Sequence, residues 1–183
     1  MTDASKALRV FMVGPMGSGK STVGRMLAGM LDWDFVDSDT EIEARCGADI
    51  PWIFDVEGEA GFRRREAAVL SDLAQRSKVV IATGGGAVVT EANRQLMSQA
   101  GVVVYLEVSV EQQLKRTGSG EGRPLLAQGD RGATLRQLMA QREPFYRALA
   151  DVIISASGGN ARRVARQIQE QLSAQSLLNV AAD

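Results

Sequence analysis

The chain has 183 residues, 45% hydrophobic and 23% charged, which suits one globular domain with a single sizeable core and excludes a disordered chain. Lys plus Arg number 21 against 22 Asp plus Glu, so no global basic field favours nucleic acid or an anionic membrane, and a small ligand fits better. Histidine is absent, which removes the commonest general base and transition-metal ligand and leaves proton abstraction to a carboxylate.

The single cysteine, Cys46, rules out an internal disulfide and any multi-cysteine metal site. The start "MTDASKALR" lacks a signal-peptide stretch, and no run of 18 apolar residues occurs, so the expected location is the cytoplasm with no membrane span.

In chain order, "RVFMVG" (9 to 14) reads as a strand buried on both faces. It runs into "GPMGSGKS" (14 to 21), which matches G-x-x-x-x-G-K-[ST] between a strand and a helix, the setting in which that pattern cradles phosphate. Gly17, Ser18, Gly19, Lys20 and Ser21 then present successive backbone N–H groups at a helix N-terminus. Lys20 is expected to reach the β- and γ-phosphates, Ser21 to join a Mg²⁺ shell, and Thr22 to add a donor toward the α-phosphate. Val23, Met26, Leu27, Met30 and Leu31 give the following helix its apolar period.

"DFVD" (34 to 37) is a second, weaker strand, and it delivers "DSD". Asp37 is the candidate for the metal shell, directly or through water; Asp37, Ser38 or Asp39 can instead cap the helix begun by "TEIEARC". Residues 38 to 75 hold too much helix for one crossover, and Gly47 and Pro51 divide it. Within it, "GFRRRE" places Arg63 one turn from Glu66 on a helix with Phe62, Val69 and Leu73 as apolar positions; Arg63 is either a binding residue or part of a solvated charge run with Arg64 and Arg65.

"KVVIA" (78 to 82) is a third strand that ends in "TGGGA", where three glycines form either a turn with unusual dihedrals or a backbone surface touching something small. "VVVYLEV" (102 to 108) is a fourth strand. "TGSGEGRPLLAQGDRG" (117 to 132) carries no convincing period and reads as a lid or a disordered loop, flanked by Arg116 and holding Arg123. Arg142 falls on the stripe of Leu135, Leu138 and Met139, so this charge faces inward, onto an internal carboxylate or a bound anion. "DVIISAS" (151 to 157) is the fifth strand, and Val164, Ile168 and Leu172 mark a last helix. Strands alternating with helices predict an α/β fold: a parallel sheet with helices on both faces and ligands at the carboxyl ends of its strands.

The ordered set "GPMGSGKST", "DSD", "GFRRRE", "TGGGAV" and "RPLL", followed by "QREPFY", resembles the shikimate kinase family from about residue 8 to residue 173. The resemblance implies a nucleoside monophosphate kinase type of fold, a three-layer sandwich on a five-stranded parallel sheet. It implies a single P-loop kinase domain over residues 1–175 and a tail over 176–183, with a substrate-binding insertion at about 38–75 and a lid at about 117–132. It makes Asp39 the partner of substrate hydroxyls and the base, Arg63 and Arg142 the clamp on a substrate carboxylate, and Gly84, Gly85 and Gly86 the pocket floor, with the Gly85 N–H donating. It puts Arg123 on the ATP phosphates and Arg116 near adenine. "SASGGNARR" departs from the family pattern, since an adenine-side arginine found in some members after the last strand has no clear match. The implied reaction is ATP plus shikimate to ADP plus shikimate 3-phosphate with Mg²⁺, in a monomer. The rivals are another small-metabolite kinase, such as a gluconate kinase, and a nucleotide-dependent switch that transfers no phosphate.

Overall fold

Five strands, β1 (Arg9–Val13), β2 (Asp34–Asp37), β3 (Val79–Ala82), β4 (Val102–Glu107) and β5 (Val152–Ser155), pair in the order β2-β3-β1-β4-β5, every pair parallel. They are seen in a computed structural model that describes residues 8–118, 129–158, 160–175 and 177. Seven helices accompany them among the described residues: α1 (Lys20–Leu31), α2 (Ser38–Cys46), α3 (Ile50–Leu73), α4 (Glu91–Ala100), α5 (Val110–Arg116), α6 (Arg131–Leu149) and α7 (Ala161–Ala174). The expected α/β sandwich is therefore the fold that the chain adopts.

Alternation along each central strand builds two cores. Val10 and Met12 of β1 point to one face with Val80, Val104, Leu27 and Ile168, under α1 and α7. Phe11 and Val13 point to the other with Ile81, Val103, Leu70, Met97 and Tyr146, under α3, α4 and α6. Since both faces are covered, β1, β3 and β4 need uninterrupted apolar runs, and each fully buried Val or Leu there contributes about 1.5–3 kcal/mol. The edge strands are looser, and in β5 Ile153 and Ser155 face outward.

Three local readings shift. Met26 is exposed, because the buried arc of α1 runs through Val23, Gly24, Leu27 and Ala28. A Cβ on Gly24 would lie 2.9 Å from the Phe35 ring, so this small residue turns the helix onto the sheet and carries Met26 off it. In α3 an unforeseen kink falls at Gly58 (φ 69°, ψ 179°), while Gly47 caps the end of α2 and Pro51 sits in the first turn of α3. The loop expected over 117–132 ends earlier: Asp130 caps α6, which starts at Arg131, and Arg131 Nη2 donates to Thr117 Oγ1 at 2.9 Å. Arg123 lies outside the described residues, as does most of that loop.

The sheet order decides where a ligand can enter. After β1 the chain turns into α1 on one face, whereas after the adjacent β3 it passes through a short 3-10 turn into α4 on the other. Neighbouring strands whose connections diverge open a crevice at their carboxyl ends. "GPMGSGKS" and "TGGGA" are the two segments that flank it.

Candidate active site

The loop between β1 and α1 curls around the Lys20 ammonium, which donates to Gly14 O at 2.8 Å and to Pro15 O at 2.9 Å. Gly17 and Gly19 hold φ of 77° and 92°, left-handed values that a side chain would resist, and Gly19 is the N-cap of α1. The result is a ring of N–H groups at the positive end of a helix. Ser21 Oγ donates to Asp37 Oδ2, so the two oxygens named for the metal shell meet at one point. Asp37 also caps α2 through its Oδ1, which accepts from the N–H groups of Asp39 and Thr40 at 3.0 and 3.3 Å. The helix cap and the contact with Ser21 thus use different oxygens of one carboxylate.

A cleft of about 490 Å³ extends from this loop across the top of β1 and β3. It takes in Lys20, Ser21, Asp37, Asp39, Arg63, Glu66, Arg116, Arg142 and the three glycines. Gly17, Gly19 and Thr22 line it as well, while Ser18 is buried beneath.

The opposite end from the phosphate loop is ionic. Arg63 Nη1 donates to Glu66 Oε2 at 2.8 Å, and Glu66 is fully buried, so burial pushes its carboxyl upward while Arg63 and Arg142 pull it back. Arg142 is 6% exposed. Its Nε, like that of Arg63, is buried with no protein partner, and the same holds for Asp39 Oδ1 and Glu66 Oε1. Native proteins rarely leave such atoms unsatisfied, because each costs about 1–3 kcal/mol, and four around one cleft mark a polar binding site. Asp39 is displaced well above its ordinary state. Burial first, then the charges of Asp37 and Glu66, raise its pKa from 3.8 to about 6 against the opposing Lys20.

None of the three glycines adopts a positive φ, so a strained turn is not what requires them. Steric proximity is. A Cβ on Gly84 would stand 2.8 Å from Asp39 Oδ1 and 3.1 Å from Glu66 Oε1, and one on Gly86 would stand 2.7 Å from Arg63 Nη1. Gly84 and Gly86 clear space for the charged groups over them, whereas a Cβ on Gly85 would make only ordinary contacts, 3.4 Å from Met16 N and 3.7 Å from Arg142 Nη1. Beyond them the turn is closed by Asn93 Nδ2, which donates to Ala87 O at 3.1 Å, and by Arg94 Nη1, which donates to Val88 O at 2.6 Å.

Arg116 bridges the rim, donating to Gly17 O at 3.1 Å and to Ala156 O at 2.8 Å, and so joins the phosphate loop to the turn after β5.

Residues 16–173 match the family model described as shikimate kinase. The chain belongs to the shikimate kinase family. A shikimate kinase of Halorhodospira halophila is 59% identical over 167 residues, covering 91% of this chain and 94% of the relative. One from Hahella chejuensis is 56% identical over 165 residues, covering 90% and 86%. Among solved structures, a shikimate kinase from Acinetobacter baumannii in complex with shikimate superposes with a TM-score of 0.92 at 46% identity, covering 94% of this chain and 97% of that one. A gluconokinase from Sinorhizobium meliloti reaches a TM-score of 0.58 at 17% identity, a likeness of fold alone.

Within this shikimate kinase fold, every described residue singled out from the sequence borders or underlies one cleft; Arg123 falls outside the described residues. Sequence reasoning treated Glu66 only as a partner for Arg63. Its position on the stripe Phe62, Glu66, Val69 marks it as inward-facing by the same spacing argument that singles out Arg142. Ile50 and Phe54, which line the cleft from the first half of α3, had no such signal.

Proposed function

We propose that the chain transfers the γ-phosphoryl group of ATP to a ring hydroxyl of shikimate, giving ADP and shikimate 3-phosphate. The observation that carries this reading is Asp39: a carboxylate with a pKa near 6 stands between a phosphate-binding loop and a pair of inward arginines. Such a group is matched to accepting a hydroxyl proton near neutrality.

In this reading the N–H groups of Gly17, Ser18, Gly19, Lys20, Ser21 and Thr22 hold the triphosphate and Lys20 neutralises charge on the transferred group. Arg63 and Arg142 take the shikimate carboxylate, and both have a buried Nε without a protein partner. Gly84, Gly85 and Gly86 let the ring lie against main chain, with the Gly85 N–H donating to it. Arg116 borders the base, since it ties the phosphate loop to the turn after β5. Arg123 is assigned to the ATP phosphates by its place in "RPLL".

The residues also fit Mg²⁺. Ser21 Oγ and Asp37 Oδ2 are hard oxygen donors already in contact, and no group of three or more acidic, Cys or His side chains is set to hold an ion alone among the described residues. Mg²⁺ keeps waters and leans on one or two protein oxygens plus phosphates. When bound there it would offset phosphate charge; Ser21 and Asp37 would hold it, while Lys20 and Asp39 do the chain's own work. We further infer that residues 38–75 form the acceptor-binding insertion, that the segment at about 117–132 is a lid, and that the enzyme acts as a cytoplasmic monomer. Among the described residues no helix is long and apolar enough to cross a membrane.

The test is ADP release with Mg-ATP and shikimate, gluconate or no acceptor. Release is expected with shikimate alone; equal release with gluconate, or none above background with shikimate, would overturn the reading. A finer result is expected of Gly86→Ala. The added methyl meets the mobile end of Arg63 rather than backbone, so the fold should survive while Arg63 is displaced. Steady-state kinetics should show the shikimate KM raised about tenfold or more and the ATP KM unchanged, as for loss of one charged hydrogen bond.

A further inference from the structure

The three glycines have no side chains by which to be held in place, yet a floor that touches substrate must be rigid to within about half an ångström. Two hydroxyls from distant parts of the chain hold it. Ser38 Oγ, fully buried, accepts from the Gly84 N–H at 3.2 Å. Tyr146 Oη, also fully buried, donates to Gly85 O at 2.5 Å. Ser38 is the residue before Asp39, and Tyr146 lies one helical turn after Arg142 on α6. The two elements that carry Asp39 and Arg142, α2 and α6, are therefore each pinned to the floor by a hydroxyl beside that charged group.

We propose that Ser38 and Tyr146 are positioning residues that register Asp39 and Arg142, respectively, on the glycine floor. A trans peptide points its C=O and N–H in opposite directions, so the Tyr146 bond fixes the Gly85–Gly86 plane and turns the Gly86 N–H away from the phenol. Arg142 is a charged neighbour of the same phenol, and its Nη1 stands 3.7 Å from where a Cβ on Gly85 would lie, so clamp, phenol and floor sit together. Burial raises the Tyr146 hydroxyl above the ordinary phenol range, which keeps it a donor at any working pH. Tyr105 supplies an internal comparison. Its ring stacks on Tyr146 at 5.1 Å between centroids, but its buried hydroxyl has no partner.

This inference rests on the shikimate reading, and the experiment separates the two. Steady-state kinetics and melting temperature would be measured for the full chain and for Tyr146→Phe, Ser38→Ala and Tyr105→Phe, each lacking one oxygen. Tyr146→Phe is expected to raise the shikimate KM about tenfold and Ser38→Ala to lower kcat about tenfold, both with the ATP KM within about twofold of the parent. Tyr105→Phe should leave every kinetic constant unchanged. A Tyr146→Phe enzyme that matches Tyr105→Phe, or whose two KM values rise together, would overturn the proposal. If Tyr146→Phe does not fold, Ser38→Ala decides it from the other side: an unchanged kcat overturns the proposal. A parent chain inactive on shikimate would sink the functional reading and this inference with it; an active parent with unshifted variants sinks this inference alone.

Discussion

Asp39→Asn is expected to lower kcat by about 10²–10⁴-fold, leave ATP binding intact, and raise the melting temperature at pH 7 to 8. The first effect follows from removing the carboxylate that we propose accepts the hydroxyl proton. The second follows because the phosphate loop is built from backbone groups and Lys20, whose ammonium is held by Gly14 O and Pro15 O. The third follows from the sign of the pKa change. Asp39 holds its proton more tightly in the fold, at about 6 against 3.8, so stability falls as pH rises from about 4 through about 6. Above that range the charged form costs on the order of 2–3 kcal/mol, from burial and from the neighbouring Asp37 and Glu66 charges. Asn removes the charge but keeps the shape, and at this chain length the gain corresponds to roughly 4–10 °C. Calorimetry at pH 7.5 beside a turnover assay checks both limbs. The parent's kcat/KM for shikimate should climb with pH through an apparent pKa near 6, whereas a profile flat from pH 5 to 8 would remove Asp39 from the proton-accepting role.

Arg142→Ala is expected to raise the shikimate KM by about 10²-fold with the ATP KM little changed, since a bidentate pair with a carboxylate supplies two charge-assisted hydrogen bonds. Fold stability should fall less than for a typical buried ion, because Glu66 retains its bond to Arg63. Arg142→Lys should recover only part of the loss, as one ammonium cannot reproduce the planar fork. A shikimate analogue lacking the carboxylate makes the assignment specific. It should bind the parent far more weakly than shikimate does, but lose little more with the Ala variant. If the analogue and shikimate lose equally, Arg142 does not grip the carboxylate.

Both variants concern residues whose roles were legible to different depths. Arg142 could be found by spacing, because helical period places residues 135 and 142 on one face and a charge there needs a partner. Glu66 obeys the same period with Phe62 and Val69, so its burial was readable too. Apart from the family resemblance, Asp39 was visible only as one acid in "DSD", with no local sign of the burial that sets it apart from Asp37, which caps α2 and meets Ser21. Tyr146 stood in the motif "QREPFY" without any sign of which backbone oxygen its hydroxyl would find. The outward Met26 was likewise hidden, since it depends on the Phe35 ring across from Gly24, and the Gly58 kink was hidden because an isolated glycine in a helical stretch is tolerated without one.

By itself the sequence determined the phosphate loop and the strand–helix alternation. In both, the interacting groups are neighbours along the chain: eight consecutive residues carry the loop's N–H groups, its lysine and its hydroxyl, and periodicity is a property of adjacent positions. Tertiary structure alone decided that β3 lies beside β1, and hence that the three glycines face the phosphate loop across a crevice. It also decided the ionisation of Asp39, because burial and the charges of Asp37, Glu66 and Lys20 are sums over distances in space that no spacing along the chain can supply.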